Sequence, residues 1–188
     1  TEYLMKEVSK CGHTFQTCLK SSHINDIKET LCYVASHYND AIQNSKTSMD
    51  TEVAYELPDG QIIIVNEERF KCCEILFDPG IIHKKINGIH KSINNCVSKC
   101  DNEIQKQLYQ NIVLSGGNTL FEGIQLRLEN EMKKLDTNNY DTQLIVPNER
   151  KYLTWIGGSI FSTLSLFDDM CISKEEYDET GPTIVHKK

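Results

Sequence analysis

Asn111-Ile112-Val113-Leu114-Ser115-Gly116-Gly117-Asn118 joins a short apolar run to a Ser-Gly-Gly turn. It predicts a strand over Asn111–Leu114 and a tight turn over 115–118. Downstream, Ile124, Leu128 and Met132 recur at helical spacing and predict a helix over Phe121–Leu135. A second apolar run, Leu144-Ile145-Val146, stops at Pro147 and predicts another strand. Strand, turn, helix and strand in succession imply an α/β layer. Paired glycines between a strand and a helix let a ligand approach the backbone, at the strand end where open α/β sheets bind ligands. The helix start adds free N–H groups. A bare turn explains the same residues, and the GxxxxGK[ST] loop of nucleotide-binding P-loops is absent.

Upstream, the spacing predicts helices over Tyr3–Cys11, stopped by Gly12, and over about Leu19–Val34, with Ile24, Ile27, Leu31 and Val34 on one face. Asn44–Asp50 is polar and reads as a loop. Tyr55-Glu56-Leu57, Pro58-Asp59-Gly60 and Gln61–Val65 form a hairpin pattern, because Pro-Asp-Gly is turn chemistry and Ile62–Val65 is β-branched throughout. A short helix over Glu67–Phe77 ends at Pro79-Gly80. Then come a loop over Gly80–Gly88, a helix over Ile89–Cys100 and a short amphipathic piece over Glu103–Leu108. From Arg150 the pattern is helical, broken near Ser165 and closed by Gly181-Pro182.

A chain of 188 residues, 39% hydrophobic, has room for one ordinary domain or two small lobes. Its formal net charge of −7 argues against nucleic acid as a partner. No apolar run approaches the ~20 residues that cross a bilayer, and no secretory signal is visible, so no membrane partner is expected. The first residue, Thr1, stands inside a helical pattern, and the expectation is an excised fragment. The eight cysteines sit mostly in apolar patterns such as Leu31-Cys32-Tyr33-Val34, as in a reduced intracellular chain. Cys96 and Cys100 share a helix face, but no CxxC or HxxxH pair adds further ligands, so no metal site is expected.

Lys28 and Glu29 read equally as a solvated charge pair, and Lys151 as a surface charge at a helix entry. Ser115 has no evident His partner, and Asp168–Asp169 and Glu175–Glu176 are neighbours that point apart on a helix. No nucleophile, base and orienter assemble, so no catalytic residue is assigned.

Arg150-Lys151-Tyr152, Trp155-Ile156-Gly157-Gly158-Ser159-Ile160, Ile172–Glu179 and Gly181-Pro182-Thr183-Ile184-Val185-His186 closely resemble the carboxy-terminal region of actins. The resemblance extends upstream through Leu114–Gly117, Tyr55–Gln61, Asp26-Ile27-Lys28-Glu29, Leu31–Val34 and Tyr3–Lys6, and so spans the chain. It implies the carboxy-terminal half of the actin-like ATPase fold, an α/β, ribonuclease H-like superfold. Within it, residues 1–84 would form an inserted helical and hairpin subdomain, 85–152 part of the α/β core, and 153–188 a helical segment of the first lobe.

The resemblance also implies ATP or ADP, with Mg or Ca, in a cleft between two lobes. The phosphate loops and the water-activating residues lie in the family's first half, so this chain alone is expected to be catalytically incompetent and to hold nucleotide weakly. Carried over by motif, Lys28 and Glu29 contact the adenosine, Gly116 and Gly117 lie against the nucleotide, Leu120 and Phe121 flank it, and Lys151 closes over the base. The sequence departs from the family at Asn25, where an arginine is usual, at Ser21–Ser22 for a charged pair, and at Leu120–Phe121 for methionine–tyrosine. Phe161, Leu164, Leu166 and Met170 would line a partner cleft for other actin-like subunits or actin-binding proteins. Without the family, these four read equally as core. The loop with Ile81, Ile82, His83 and Lys84 would join filament strands, its apolar tip interrupted by charge. The implied location is cytoplasm and cytoskeleton, with the nucleus open to an actin-related member. The alternative is a non-polymerising actin-related scaffold subunit. A sugar kinase or chaperone of the same superfold fits the motifs less well.

Overall fold

The computed structural model describes residues 1–10, 21–49, 51–136, 138 and 140–187. The expected stop at Gly12, and Cys11 and Cys18, lie outside them.

Helix α1 (Glu2–Lys10) buries Leu4 and Val8, one turn apart, and α2 (Ser21–Leu31) buries Ile24 and Ile27. These stripes pack together with α4 (Glu68–Glu74) beneath α1. The second helix was expected to run to Val34. It stops at Leu31 because the next residues take hydrogen bonds elsewhere: the Tyr33 amide donates to Arg69 O (3.3 Å) and the Val34 amide to Glu122 O (2.8 Å). Helix α3 (Tyr38–Thr47) occupies part of the expected loop over Asn44–Asp50, and its one buried residue is Ser45.

Strands β1 (Val53–Glu56) and β2 (Ile62–Val65) pair antiparallel, Val53 against Val65 and Glu56 against Ile62. Gly60 at the turn has φ 81°. Ile63 and Val65 point into the core and Ile62 and Ile64 to the outside, the alternation of a sheet buried on one face. The Tyr55 hydroxyl donates to Asp26 and ties the hairpin to α2.

Asp78 caps a 3-10 turn, Pro79–Ile82, inside the expected loop. Helices α5 (Ile89–Val97) and α6 (Asn102–Tyr109) follow. Because α5 ends at Val97, Cys100 falls outside the helix expected to carry it with Cys96. Strands β3 (Ile112–Val113) and β4 (Leu144–Ile145) pair in parallel and are joined through a 3-10 turn, Gly117–Leu120, and α7 (Ile124–Leu135). Ile124, Leu128 and Met132 of α7 are buried in the main core with Leu4, Ile24, Ile27 and Ile63. The result is a mixed helix–sheet fold with small sheets.

Two contacts hold the α2 side against α7. Gly123 has φ 79°, and a Cβ there would stand 2.3 Å from Val34 O, so only glycine permits the approach. Arg127, on the buried side of α7, donates two hydrogen bonds to the Glu74 carboxylate (2.8 and 3.0 Å), one to Ala35 O (2.8 Å) and one to Glu131 (2.9 Å). Its guanidinium lies 4.7 Å from the Phe77 ring centroid. Burial pushes the Glu74 carboxyl above its usual range, against the pull of Arg127.

After β4 come α8 (Leu153–Ser162), α9 (Leu166–Met170) and α10 (Lys174–Thr180), then a 3-10 turn over Gly181–His186 where the helical pattern was expected to close. Ser173 and Glu176 form a capping box at α10. Helices α8 to α10 bury no residue, and Trp155 is 76% exposed. No helix among the described residues is long and apolar enough to cross a membrane.

Candidate functional site

The turn after β3 sets the site. Gly116 has φ 94° and ψ 159°, a conformation that strains any residue with a Cβ. Its amide donates to Arg150 O (2.8 Å), and its carbonyl accepts from the Thr119 hydroxyl (2.7 Å). Arg150 returns with Nε to Thr119 O (3.1 Å) and Nη1 to Pro147 O (3.2 Å). Arg150 therefore stitches the glycine turn to the segment after β4, where Lys151 follows it. A Cβ at Gly117 would meet no protein atom within 4 Å, so packing within the chain does not require a glycine there.

Lys28, Glu29, Gly116, Gly117, Leu120, Phe121 and Lys151 come together around one cavity of about 400 Å³, with Ser115 and Asn118 completing its wall. They arrive from three segments: the last turn of α2, the turn after β3, and the stretch after β4. Lys151 Nζ lies 3.8 Å from Glu29 Oε2 and 5.7 Å from the Tyr152 ring centroid. The wall thus offers two ammonium groups, a carboxylate, apolar surface from Leu120 and Phe121, and open backbone at the glycines. Such a mixture suits a flat heteroaromatic ring bearing hydroxyls. No nucleophile–base pair appears in it.

Ser115 and Asn118 were not singled out as wall residues, although they belong to the same turn. Arg150 was quoted only as part of a motif. Its role as a clamp depends on a contact with Thr119 that no local pattern shows.

Phe161, Leu164, Leu166 and Met170 are all exposed, on α8, on the turn after it and on α9. Phe161 packs edge-on against Phe167, with ring centroids 5.5 Å apart, a partner that sequence spacing did not single out. In the loop after α4, Ile81 and Ile82 are half-buried in the 3-10 turn, while His83, Lys84 and Lys85 are exposed. His83 takes the left-handed conformation, φ 57°, and its amide donates to Gly80 O (2.9 Å). The apolar side chain that this loop turns outward is Ile86, 65% exposed. Among the described residues, no three His, Cys, Asp or Glu side chains are placed to hold a metal ion.

The sequence model of the Actin family matches residues 1–188. The Dictyostelium discoideum protein named "Putative actin-29" is 38% identical over 193 aligned positions that take in 100% of this chain and 50% of the relative. The chain thus spans about half the length of that curated relative. With the whole chain matched by the family and the glycine turn and its cavity in place, the chain belongs to the actin family.

Proposed function

We propose that the cavity takes the nucleoside end of an adenine nucleotide, and that the chain is the carboxy-terminal half of an actin-like, partner-binding ATPase. The carrying observation is the convergence of Lys28, Glu29, Gly116, Gly117, Leu120, Phe121 and Lys151 from three segments onto one cavity. In this reading Leu120 and Phe121 cover the base and exclude water from it. Glu29 accepts hydrogen bonds from ribose hydroxyls, and Lys151, 3.8 Å from Glu29, closes over the ring. Gly116 and Gly117 leave the backbone open to the sugar and the first phosphate.

ATP or ADP with Mg or Ca would supply the phosphoryl chemistry when bound. In this reading the chain supplies the nucleoside wall and the approach to the first phosphate, and the remaining phosphate and cation contacts belong to the other half of the actin-like protein. Residues 1–84, 85–152 and 153–188 would be an inserted subdomain, part of the α/β core and a segment of the first lobe. Phe161, Leu164, Leu166 and Met170 would meet other actin-like subunits or actin-binding proteins, in the cytoplasm and cytoskeleton. The exposed charges at His83, Lys84 and Lys85 favour a second reading, in which the parent is a non-polymerising scaffold subunit.

The test is ATP turnover and nucleoside binding by the purified chain. Adenosine binds weakly, Gly117→Trp abolishes that binding, and no phosphate is released from Mg-ATP. Stoichiometric ATP turnover that Gly117→Trp abolishes would overturn the division of labour between the halves.

A further inference from the structure

Three sulfur atoms meet between α4 and the segment that leaves α2, close to the wall of the candidate cavity. Cys72 Sγ, on α4, lies 3.4 Å from Cys32 Sγ and 3.8 Å from Cys73 Sγ. Cys32 is the first residue beyond α2. Of the described cysteines, Cys32 and Cys73 are buried, Cys72 and Cys100 are half-buried, and Cys96 and Cys171 are exposed.

The backbone holds this contact from both sides of Cys32. Arg69 Nε donates to Leu31 O at 2.9 Å, and the Tyr33 amide donates to Arg69 O at 3.3 Å. Cys72 stands one helical turn after Arg69, on the same side of α4, so it faces the clamped segment. Cys73, the next residue, also reaches this cluster, its Sγ 3.9 Å from Arg69 O, but Cys32 is the nearer sulfur to Cys72, at 3.4 Å against 3.8 Å. Closing a disulfide of about 2.04 Å from 3.4 Å requires each sulfur to move by less than ~1 Å.

Access runs through a second cavity, about 270 Å³, in which Cys72 shares the wall with Lys28, Asn118 and Phe121. The sulfurs also divide the chemistry. Hydrogen bonding from the Cys32 and Cys73 thiols pulls the Cys72 thiol down towards the thiolate, and the same contacts push Cys32 and Cys73 up. A thiolate is the reactive form, so Cys72 is the attacking group and Cys32 the resolving one.

We infer that Cys32 and Cys72 form a reversible intramolecular disulfide with a peroxide as the oxidant, cross-linking α4 to the segment that leaves α2. The Cys72 sulfur attacks one oxygen of hydrogen peroxide. The O–O bond breaks, a proton is taken up, water departs and Cys72 becomes a sulfenic acid. The Cys32 sulfur then attacks the Cys72 sulfur, the S–O bond breaks, and the hydroxide leaves with the Cys32 proton as a second water. Two thiols lose two electrons and the peroxide gains two. This proposal stands apart from the nucleoside reading.

The experiment is peptide mapping of the purified chain after equimolar hydrogen peroxide and alkylation of remaining thiols. Trypsin releases residues 29–46, whose one cysteine is Cys32, and 72–84, which holds Cys72 and Cys73. The expected main oxidised product is these two peptides linked, two hydrogens lighter than their sum and separated by dithiothreitol. The link persists in Cys73→Ala and is lost in Cys72→Ala. In Cys32→Ala treated with the same peroxide, the link is lost and dimedone traps the sulfenic acid left on Cys72, whose resolving sulfur is gone. Oxidation of Cys96 or Cys171 with no 29–46/72–84 link in the wild-type chain would overturn the proposal, whatever the variants do. A link that survives Cys72→Ala would overturn the assignment of the attacking thiol.

Discussion

Lys151 Nζ stands 3.8 Å from Glu29 Oε2, joining the segment after β4 to the end of α2 at the rim of the cavity. The two side chains are 43% and 62% exposed, so the pair contributes little to folding. Lys151→Ala is therefore expected to change unfolding free energy by less than ~0.5 kcal/mol in a urea titration. The same change is expected to weaken adenosine binding about tenfold, or ~1.4 kcal/mol. A large loss of stability with unchanged adenosine affinity would assign Lys151 to the scaffold instead.

The Arg127–Glu74 pair behaves in the opposite way. Both side chains are below one-tenth exposed, and the guanidinium holds α7 to α4 and to Ala35 O. Arg127→Met strands a buried carboxylate and is expected to cost ~3–5 kcal/mol. Adding Glu74→Met should recover at least half of that loss. The single variant carries a pH signature as well. Glu74 without its partner has a native pKa well above its unfolded value, so its stability contribution is present at low pH and lost as pH rises. Urea midpoints at pH 5 and pH 7.5 check both statements.

His90 sets a second pH dependence. It is 7% exposed and stacks on Phe77 at 5.8 Å, and its Nδ1 is buried without a hydrogen-bond partner. Burial pushes its pKa down. Glu131 pulls it up, and Lys91, Arg127 and Lys134 push it further down. With the native value below the unfolded one of about 6.5, the unfolded state binds more protons in the window between them. Stability is undiminished above about pH 6.5, declines as pH falls through that window, and levels off below the native value. His90→Phe, which keeps the stack and removes the orphaned nitrogen, is expected to abolish this part of the decline. Urea midpoints from pH 7.5 to 5 in the two proteins give the difference directly.

What the sequence revealed and what it hid follow from the range of the interactions. The hairpin was legible because Pro58-Asp59-Gly60 and the β-branched run after it act locally. Helix α7 was legible because Ile124, Leu128 and Met132 form an unbroken stripe. Helix α3 was hidden because it buries a serine rather than an apolar stripe. The end of α2 was misplaced because Leu31, Cys32 and Val34 continue an apolar pattern, while the bonds that peel the chain away come from Arg69 and Glu122. In the site, the glycine turn was visible as a turn. Seven of its nine wall residues were named only through the resemblance, because Lys28 and Lys151 come together by tertiary packing that no local pattern shows.

In the proposed reading, the loop after α4 bears on how the whole actin-like protein assembles. His83 sits in the left-handed region, and Lys84 and Lys85 are exposed beside it. Burying an ammonium at a filament contact costs several kcal/mol unless it is paired, and a lysine instead turns its head to water. His83→Gly with Lys84→Met relieves the backbone conformation and restores apolar surface. The double variant is expected to pellet at a lower critical concentration than the wild type. Equal pelleting of both proteins would remove the loop from the account.

The most direct test of the nucleoside site is amide chemical-shift mapping of the isotope-labelled chain titrated with adenosine. The proposed site predicts saturable shifts centred on Lys28, Glu29, Gly116, Gly117 and Lys151, with millimolar-range affinity (about −4 kcal/mol) because adenosine brings only base and ribose contacts. Saturable shifts confined to residues remote from these five, or none at all at millimolar adenosine, would contradict it.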